Sequence, residues 1–185
     1  MYPTRIAPLT SAEWSTEANE LKDKMLDASS GEPLNIFSTL ARHPKLMKRW
    51  MVFAAHVLSK NTLSPRDREL LILRVGWRCQ APYEWGQHVI IGEACGISRH
   101  EIEAIAAGPT DPTWSAFDAT LLRAADELHD DSRLSDTTWA ALGQRYSDEQ
   151  MIDVIFTVGN YHIVSMFLNS AGVQLDDGVS AWPMA

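Results

Sequence analysis

Glu84 and His88 stand one helical turn apart in the segment Pro82-Tyr83-Glu84-Trp85-Gly86-Gln87-His88. A carboxylate and an imidazole at that spacing share a helix face and can meet directly. Such a pair supplies a base whose tautomer is fixed by an anion, or an acid and a base presented to one bound molecule. The preceding apolar segment adds Glu69. In an antiparallel hairpin, Glu69 lies about ten residues before the turn and His88 about seven after it, so their axial offset is roughly 4–5 Å and long side chains can close it. Tyr83 and Trp85 flank the pair as an aromatic wall that would exclude water and move the pKa values toward neutrality. An i, i+4 Glu–His pair is also an ordinary surface feature. Its position between the apolar run before Pro82 and Val89-Ile90-Ile91 points instead to a central helix whose polar groups need partners.

Arg66, Arg68 and Arg74 could each hold a substrate carboxylate, although the spacing of Arg66 and Arg68 suits surface or subunit salt bridges, which leaves Arg74 as the substrate-binding candidate. His56 interrupts the apolar stretch from Trp50 to Leu58; it reads as a hydrogen-bonded core residue placed to line a pocket. His162, Ser165 and Asn169 recur along one side of the last helix, a pattern that suits a subunit interface or a solvated face. His43, His100 and His129 fall in capping or loop-like settings and are assigned no role. Glu84, His88, Glu69 and His162 have the ligand types of an iron or zinc site. The chain has no His-x-x-x-His, no paired Glu-x-x-His and no Cys/His cluster in sequence, so no metal and no other cofactor are expected. Phosphate-loop, Gly-x-Gly-x-x-Gly and Gly-x-Ser-x-Gly motifs are absent, which removes dinucleotide and α/β-hydrolase readings.

The elements that must position these groups read as helices throughout, because apolar residues recur at three- and four-residue spacing while period-2 alternation and hairpin turns are missing. An amphipathic N-terminal helix is predicted over about 11–29. Others follow over 35–42, from Pro44 to 58 or 60, over 65–79 with Ser64 as cap, and over 83–95 after Pro82, closed by Gly96. The segments 65–79 and 82–95 form the central hairpin. Further helices are expected over 98–107, 115–130, 136–145 and 147–171, with Gly172 as the last stop and, from Val173, a tail that is irregular or packs on a neighbour. The expectation is one all-α domain over 1–185, with its core motif in 64–107 and an N-terminal helical extension over 1–32.

The 185 residues include 16 Lys+Arg against 24 Asp+Glu, a formal charge of -8 that disfavours nucleic acid and anionic membranes as partners. Hydrophobic residues make up 45% and charged residues 22%, the balance of a globular chain. The two cysteines, Cys79 and Cys95, and the lack of an apolar segment after Met1 lead to a reduced, cytoplasmic setting as the expectation.

Arg-Glu-Leu-Leu-Ile-Leu-Arg-Val at 68–75, Tyr-Glu-Trp-Gly-Gln-His at 83–88 and Gly-Ile-Ser-Arg-His-Glu-Ile-Glu-Ala-Ile at 96–105 resemble the carboxymuconolactone decarboxylase-like superfamily, which includes the AhpD-like thiol peroxidases. Asn160-Tyr161-His162 and Phe167-Leu168-Asn169 look like its longer members. The resemblance implies an AhpD-like all-helical fold assembled as a homo-oligomer, a trimer or hexamer, acting on a small molecule. The peroxidase branch carries Glu, Cys-x-x-Cys and His; Glu69 and His88 match, but Ala81 and Glu84 occupy the cysteine positions. Cys79 and Cys95 are expected near helix C-termini, where the dipole disfavours a thiolate, so both read as structural. The decarboxylase branch has a Glu four residues before the His, as Glu84 and His88 are here. Acid–base chemistry on a small organic acid, lactone or carbonyl compound is therefore the expectation, by decarboxylation or isomerisation. Hydroperoxidase activity and a non-catalytic ligand-binding oligomer are the alternatives.

Overall fold

Side-chain caps and prolines set the helix starts. The computed structural model describes residues 2–22, 25 and 31–180, and its first elements are a 3-10 turn at Ser11–Glu13 and a short helix α1 (Thr16–Asn19). The helix predicted over 11–29 is thus interrupted: Trp14 and Ser15 are extended, because Ser15 turns to cap α1 through Ala18 N. The remainder of that prediction falls largely outside the described residues. There follow α2 (Asn35–Leu40), α3 (Pro44–Ser59), α4 (Pro65–Arg78), α5 (Pro82–Ala94), α6 (Arg99–Ala107), α7 (Ala116–Asp131), α8 (Asp136–Leu142) and α9 (Asp148–Ala171). Ser64, Ser98, Ser115, Ser135 and Ser147 each accept a backbone N–H of the helix they open, while Pro44, Pro65 and Pro82 occupy first helical positions. Among the described residues there is no strand.

The centre is α4. Its residues from Asp67 to Gly76 are all buried, and it is packed by α5, α6, α7 and α9. Apolar side chains such as Leu70, Leu71, Ile72 and Leu73 explain most of that burial. Its polar groups survive there because each is paired: Tyr146 OH donates to Asp67 at 2.6 Å, and Arg74 makes two bonds to Asp126 at 2.7 and 2.9 Å. α5 runs back against α4, and Gly92 permits the approach, since a Cβ there would meet Leu73 Cδ1 at 3.2 Å.

α9 has the length and apolar composition to cross a membrane, yet 56% of its most apolar window is buried against the other helices. It packs on α3, α4, α5 and α7. Gly172, left-handed at φ +66°, stops it, and the N-terminal segment docks there through Arg5 and Ile6 N–H groups on Ala171 O. A smaller cluster of Trp14, Ala18, Met25, Ala41 and Met47 joins the main core through Phe37 and Leu40. Residues 173–180 are irregular and fold onto their own chain. Asp176 accepts from Asn35 N and Gln87 Nε2, each at 2.8 Å, and from Tyr83 OH.

Candidate active site

His88 and Glu69 come together across the α4–α5 hairpin. Glu69 is wholly buried, and His88 Nδ1–H donates to its Oε2 at 2.7 Å. The other Glu69 oxygen accepts from Arg68 Nε at 3.0 Å. Burial works against the charged form of Glu69, but His88 and Arg68 outweigh it and hold the carboxyl below its ordinary range. With Nδ1 committed to an anion, Nε2 is the ring nitrogen left for chemistry. Tyr161 meets the imidazole edge-on, ring centroids 4.8 Å apart, and so limits its rotation.

Glu84 does not pair with His88. Its Oε2 accepts from Ser165 Oγ at 2.6 Å, and its buried Oε1 has no partner. Burial raises its pKa well above the ordinary carboxylate value, against the opposing effect of the Ser165 bond, and so favours the neutral acid. The one-turn spacing was compatible with a direct pair, but α9 supplies a competing hydroxyl for Glu84 and α4 a competing carboxylate for His88. Two carboxyls whose pKa values are pushed in opposite directions therefore flank the site.

Both Glu84 and His88 line a cavity of about 610 Å³ between α3, α5 and α9. Its wall is mostly apolar, from residues such as Ile36, Met51, Leu58 and Val164, with Tyr83, Gln87, Asn160 and Tyr161 as further polar groups. Trp50 Nε1 donates to Asn160 Oδ1 at 3.2 Å. Asn160, Tyr161 and Trp50 were not among the expected site residues. The signal available was Asn160-Tyr161 interrupting an otherwise apolar helix.

Tyr83 lines the cavity as expected, its hydroxyl bonded to Asp176. Three other candidates are placed elsewhere. Trp85 points from α5 into the core, 2% exposed and 5.3 Å from Trp77 between ring centroids, because successive residues of a helix project about 100° apart. Arg74 is locked by Asp126 and by Ile105 O at 2.6 Å, leaving no donor set facing the cavity. His56 projects from the exposed side of α3, with Asp153 3.8 Å away, so it is neither a core residue nor a cavity residue. Arg66 bonds Asp118 and Glu101, as its spacing suggested.

Cys79 caps the end of α4 and faces away from this cavity, into a separate cleft with His129 and His162. Burial pushes its thiol up to about 11. His129, expected in a capping or loop-like setting, is in the last turn of α7, and His162 with Ser165 and Asn169 faces this cleft.

The carboxymuconolactone decarboxylase family model matches residues 44–127, the span that carries α3 to α6 and most of α7. Across nearly the full length the fold is that of AhpD-like proteins. A peroxidase-related protein of Ralstonia eutropha JMP134, described as an alkylhydroperoxidase AhpD core, superposes with a TM-score of 0.82 at 16% identity, covering 96% of this chain and 95% of that one. The family match and this fold together support a carboxymuconolactone decarboxylase/AhpD-like superfamily member. A second peroxidase-related protein, from Silicibacter sp. TM1040, gives a TM-score of 0.80 at 11% identity, with 97% and 96% coverage. The debrominase Bmp8, solved in complex with 2,3,4-tribromopyrrole, gives 0.73 at 13% identity, with 95% and 93% coverage. No curated protein matches by sequence. At these identities the structural neighbours establish the superfamily's fold, and the chemistry has to be argued from the site.

Proposed function

We propose that this superfamily member is an acid–base enzyme for a small, largely apolar carbonyl compound, lactone or organic acid. The observation that carries this reading is the division of labour between the two carboxyls: Glu69 is an anion holding His88, and Glu84 is a neutral acid in the same cavity wall. Environments that push two titratable groups apart assign a base and an acid. His88 Nε2, in the neutral ring, takes a proton from the carbon next to a carbonyl, while Glu84 donates to the carbonyl oxygen. Return of the proton to a different carbon completes an isomerisation. In a decarboxylation Glu84 donates to the carbonyl oxygen as the C–C bond to the departing carbon dioxide breaks, the imidazolium form of His88 supplies the proton to carbon, the enol oxygen returns its proton to Glu84, and water reprotonates His88.

The wall favours an aromatic or alicyclic substrate body. Lys48 and Lys60 are cations among the lining residues and could receive a carboxylate; the Lys48 ammonium is 3.4 Å from Glu20. Thiol peroxidase chemistry is disfavoured. Ala81 and Glu84 stand where the resemblance calls for cysteines, and Cys79 is kept as a thiol at neutral pH.

Homo-oligomerisation forms part of the proposal. Ile152, Phe156, Ile163 and Met166 leave an exposed apolar stripe along α9, which a second copy of the chain could cover.

The test is a screen of carboxylated lactones, enones, cyclic ketones and hydroperoxides against wild type, His88→Ala and Glu84→Gln, with light scattering for the oligomeric state. Turnover of a carbonyl or lactone compound that is lost in His88→Ala is expected. Equal behaviour of wild type and His88→Ala would defeat the catalytic assignment, and peroxide reduction that needs Cys79 would replace it with thiol chemistry.

A further inference from the structure

The second cleft, about 410 Å³, is formed where the end of α4 meets the last turn of α7 and the middle of α9. Cys79, His129 and His162 line it, and each is partly exposed. Their Sγ and ring nitrogens all lie within 4.8 Å of one another. None of the three belongs to the cavity of Glu84 and His88.

We propose that Cys79 Sγ, His129 Nδ1 and His162 Nε2 form a three-ligand site for a transition-metal ion of the zinc class, with a fourth coordination position open to this cleft. Two of the three ligand spacings match the ion, and the third lies within 4.8 Å. Bond lengths of roughly 2.3 Å for zinc–sulfur and 2.0–2.1 Å for zinc–nitrogen, at tetrahedral angles, require edges of roughly 3.3 Å between two nitrogens and 3.6 Å between sulfur and nitrogen. His129 Nδ1 and His162 Nε2 are 3.2 Å apart, and Cys79 Sγ and His129 Nδ1 are 3.7 Å apart. The imidazoles are tilted at 57° with centroids 4.9 Å apart, so nitrogen faces nitrogen and the rings do not stack face to face.

The donor set selects the chemical class. One thiolate and two imidazoles suit a borderline-soft ion and make a poor site for calcium or magnesium, which take oxygen ligands. The surroundings fix the backbone that carries the sulfur: Asn169 Nδ2 donates to Cys79 O at 2.9 Å, and Cys79 N–H donates to Val75 O at 2.8 Å. Such supporting bonds reduce the reorganisation a metal must impose. Three protein ligands facing an open cleft are the pattern of a zinc ion that keeps a water or a substrate atom in its fourth position. Ser165 lines this cleft and also donates to Glu84, which makes it a direct physical link to the proposed active cavity.

A metal-free chain of hydrogen bonds, Cys to His to His, would have the same distances, so metal uptake distinguishes the two. The full-length protein, stripped with a chelator, is titrated with Co²⁺ and then with Zn²⁺. We expect one equivalent of Co²⁺ to bind with a thiolate-to-cobalt charge-transfer band and tetrahedral visible bands, and Zn²⁺ to bleach both. His129→Ala and His162→Ala should each weaken binding at least tenfold, Cys79→Ser should abolish the charge-transfer band, and His88→Ala should leave the titration unchanged. Absence of a saturable one-equivalent signal in the wild type would overturn the site without reliance on any variant. Binding that survives Cys79→Ser intact, or that disappears in His88→Ala, would equally overturn it by placing the ion elsewhere. These readouts do not depend on turnover, so they stand or fall separately from the acid–base assignment.

Discussion

His88 Nδ1 and Glu69 Oε2 are 2.7 Å apart on adjacent antiparallel helices, with the carboxylate wholly buried and its second oxygen taken by Arg68. An anion behind an imidazole fixes which nitrogen carries the proton and stabilises the imidazolium formed during proton transfer. In the proposed mechanism Glu69 is a positioning residue, acting on substrate through His88.

Glu69→Gln is expected to lower kcat by about 10²–10⁴ while changing KM much less, the pattern of a lost tautomer control. Steady-state kinetics on any compound turned over by the wild type checks this. A variant that retains kcat would mean that Glu69 serves the fold and not the imidazole.

Glu69 and Glu84 should imprint opposite slopes on the stability–pH curve. Glu69 has a folded pKa below its ordinary value of 4.5, so the stability it contributes is present above that pH and is lost as pH falls through the folded value. Glu84 has a folded pKa raised well above 4.5, so the folded state holds the extra proton and stability declines as pH rises from 4.5 toward the folded value. Urea unfolding across this range should show Glu84→Gln gaining on wild type as pH rises, and Glu69→Gln losing less than wild type on acidification. Parallel curves for all three proteins would remove the assigned ionisation states.

Arg74→Met should cost about 3 kcal/mol of stability because it removes a buried guanidinium and strips a partly buried carboxylate of one of its partners. Asp126 keeps Arg78 at 3.0 Å, which limits the loss. KM should be unchanged, since Arg74 does not line the cavity. A raised KM at unchanged stability would restore the substrate-binding role.

Gly172→Ala should destabilise by about 1–3 kcal/mol, because a side chain is strained in the left-handed region. The φ there is +66°, and an added Cβ would lie 1.9 Å from Pro3 O. Release of the N-terminal segment should appear as faster hydrogen exchange at Arg5 and Ile6, whose N–H groups both bond Ala171 O. Unchanged exchange at these two positions would show that the docking does not depend on this glycine.

The helical architecture was legible residue by residue. Ser64, Ser98 and Ser147 mark helix starts, Pro82 separates the central hairpin and Gly172 ends the last helix, because caps, proline and left-handed glycine act through neighbours within a few positions. The same locality identified Glu69, Glu84 and His88 as a polar group inside an apolar hairpin. The N-terminal helix was over-read because its apolar spacing outweighed the extended break at Trp14 and Ser15.

Pairing was decided only in three dimensions. Whether His88 meets Glu84 or Glu69 depends on the rotation of α5 against α4 and on Ser165, 81 positions from Glu84, being brought in by α9. The rotation that directs His88 to the cavity sends Trp85 into the core, and Arg74 is claimed by Asp126 across 52 positions. Cys79, His129 and His162 carry no metal-ligand spacing at all, yet the packing of α4, α7 and α9 gathers them around one cleft. Sequence by itself determined the helices and the polar residues placed among them, since local torsional and capping preferences act within a turn or two. Which of those residues touch was left to interhelical packing, where burial is strongly favourable but non-directional and the final rotation of each helix depends on all its neighbours.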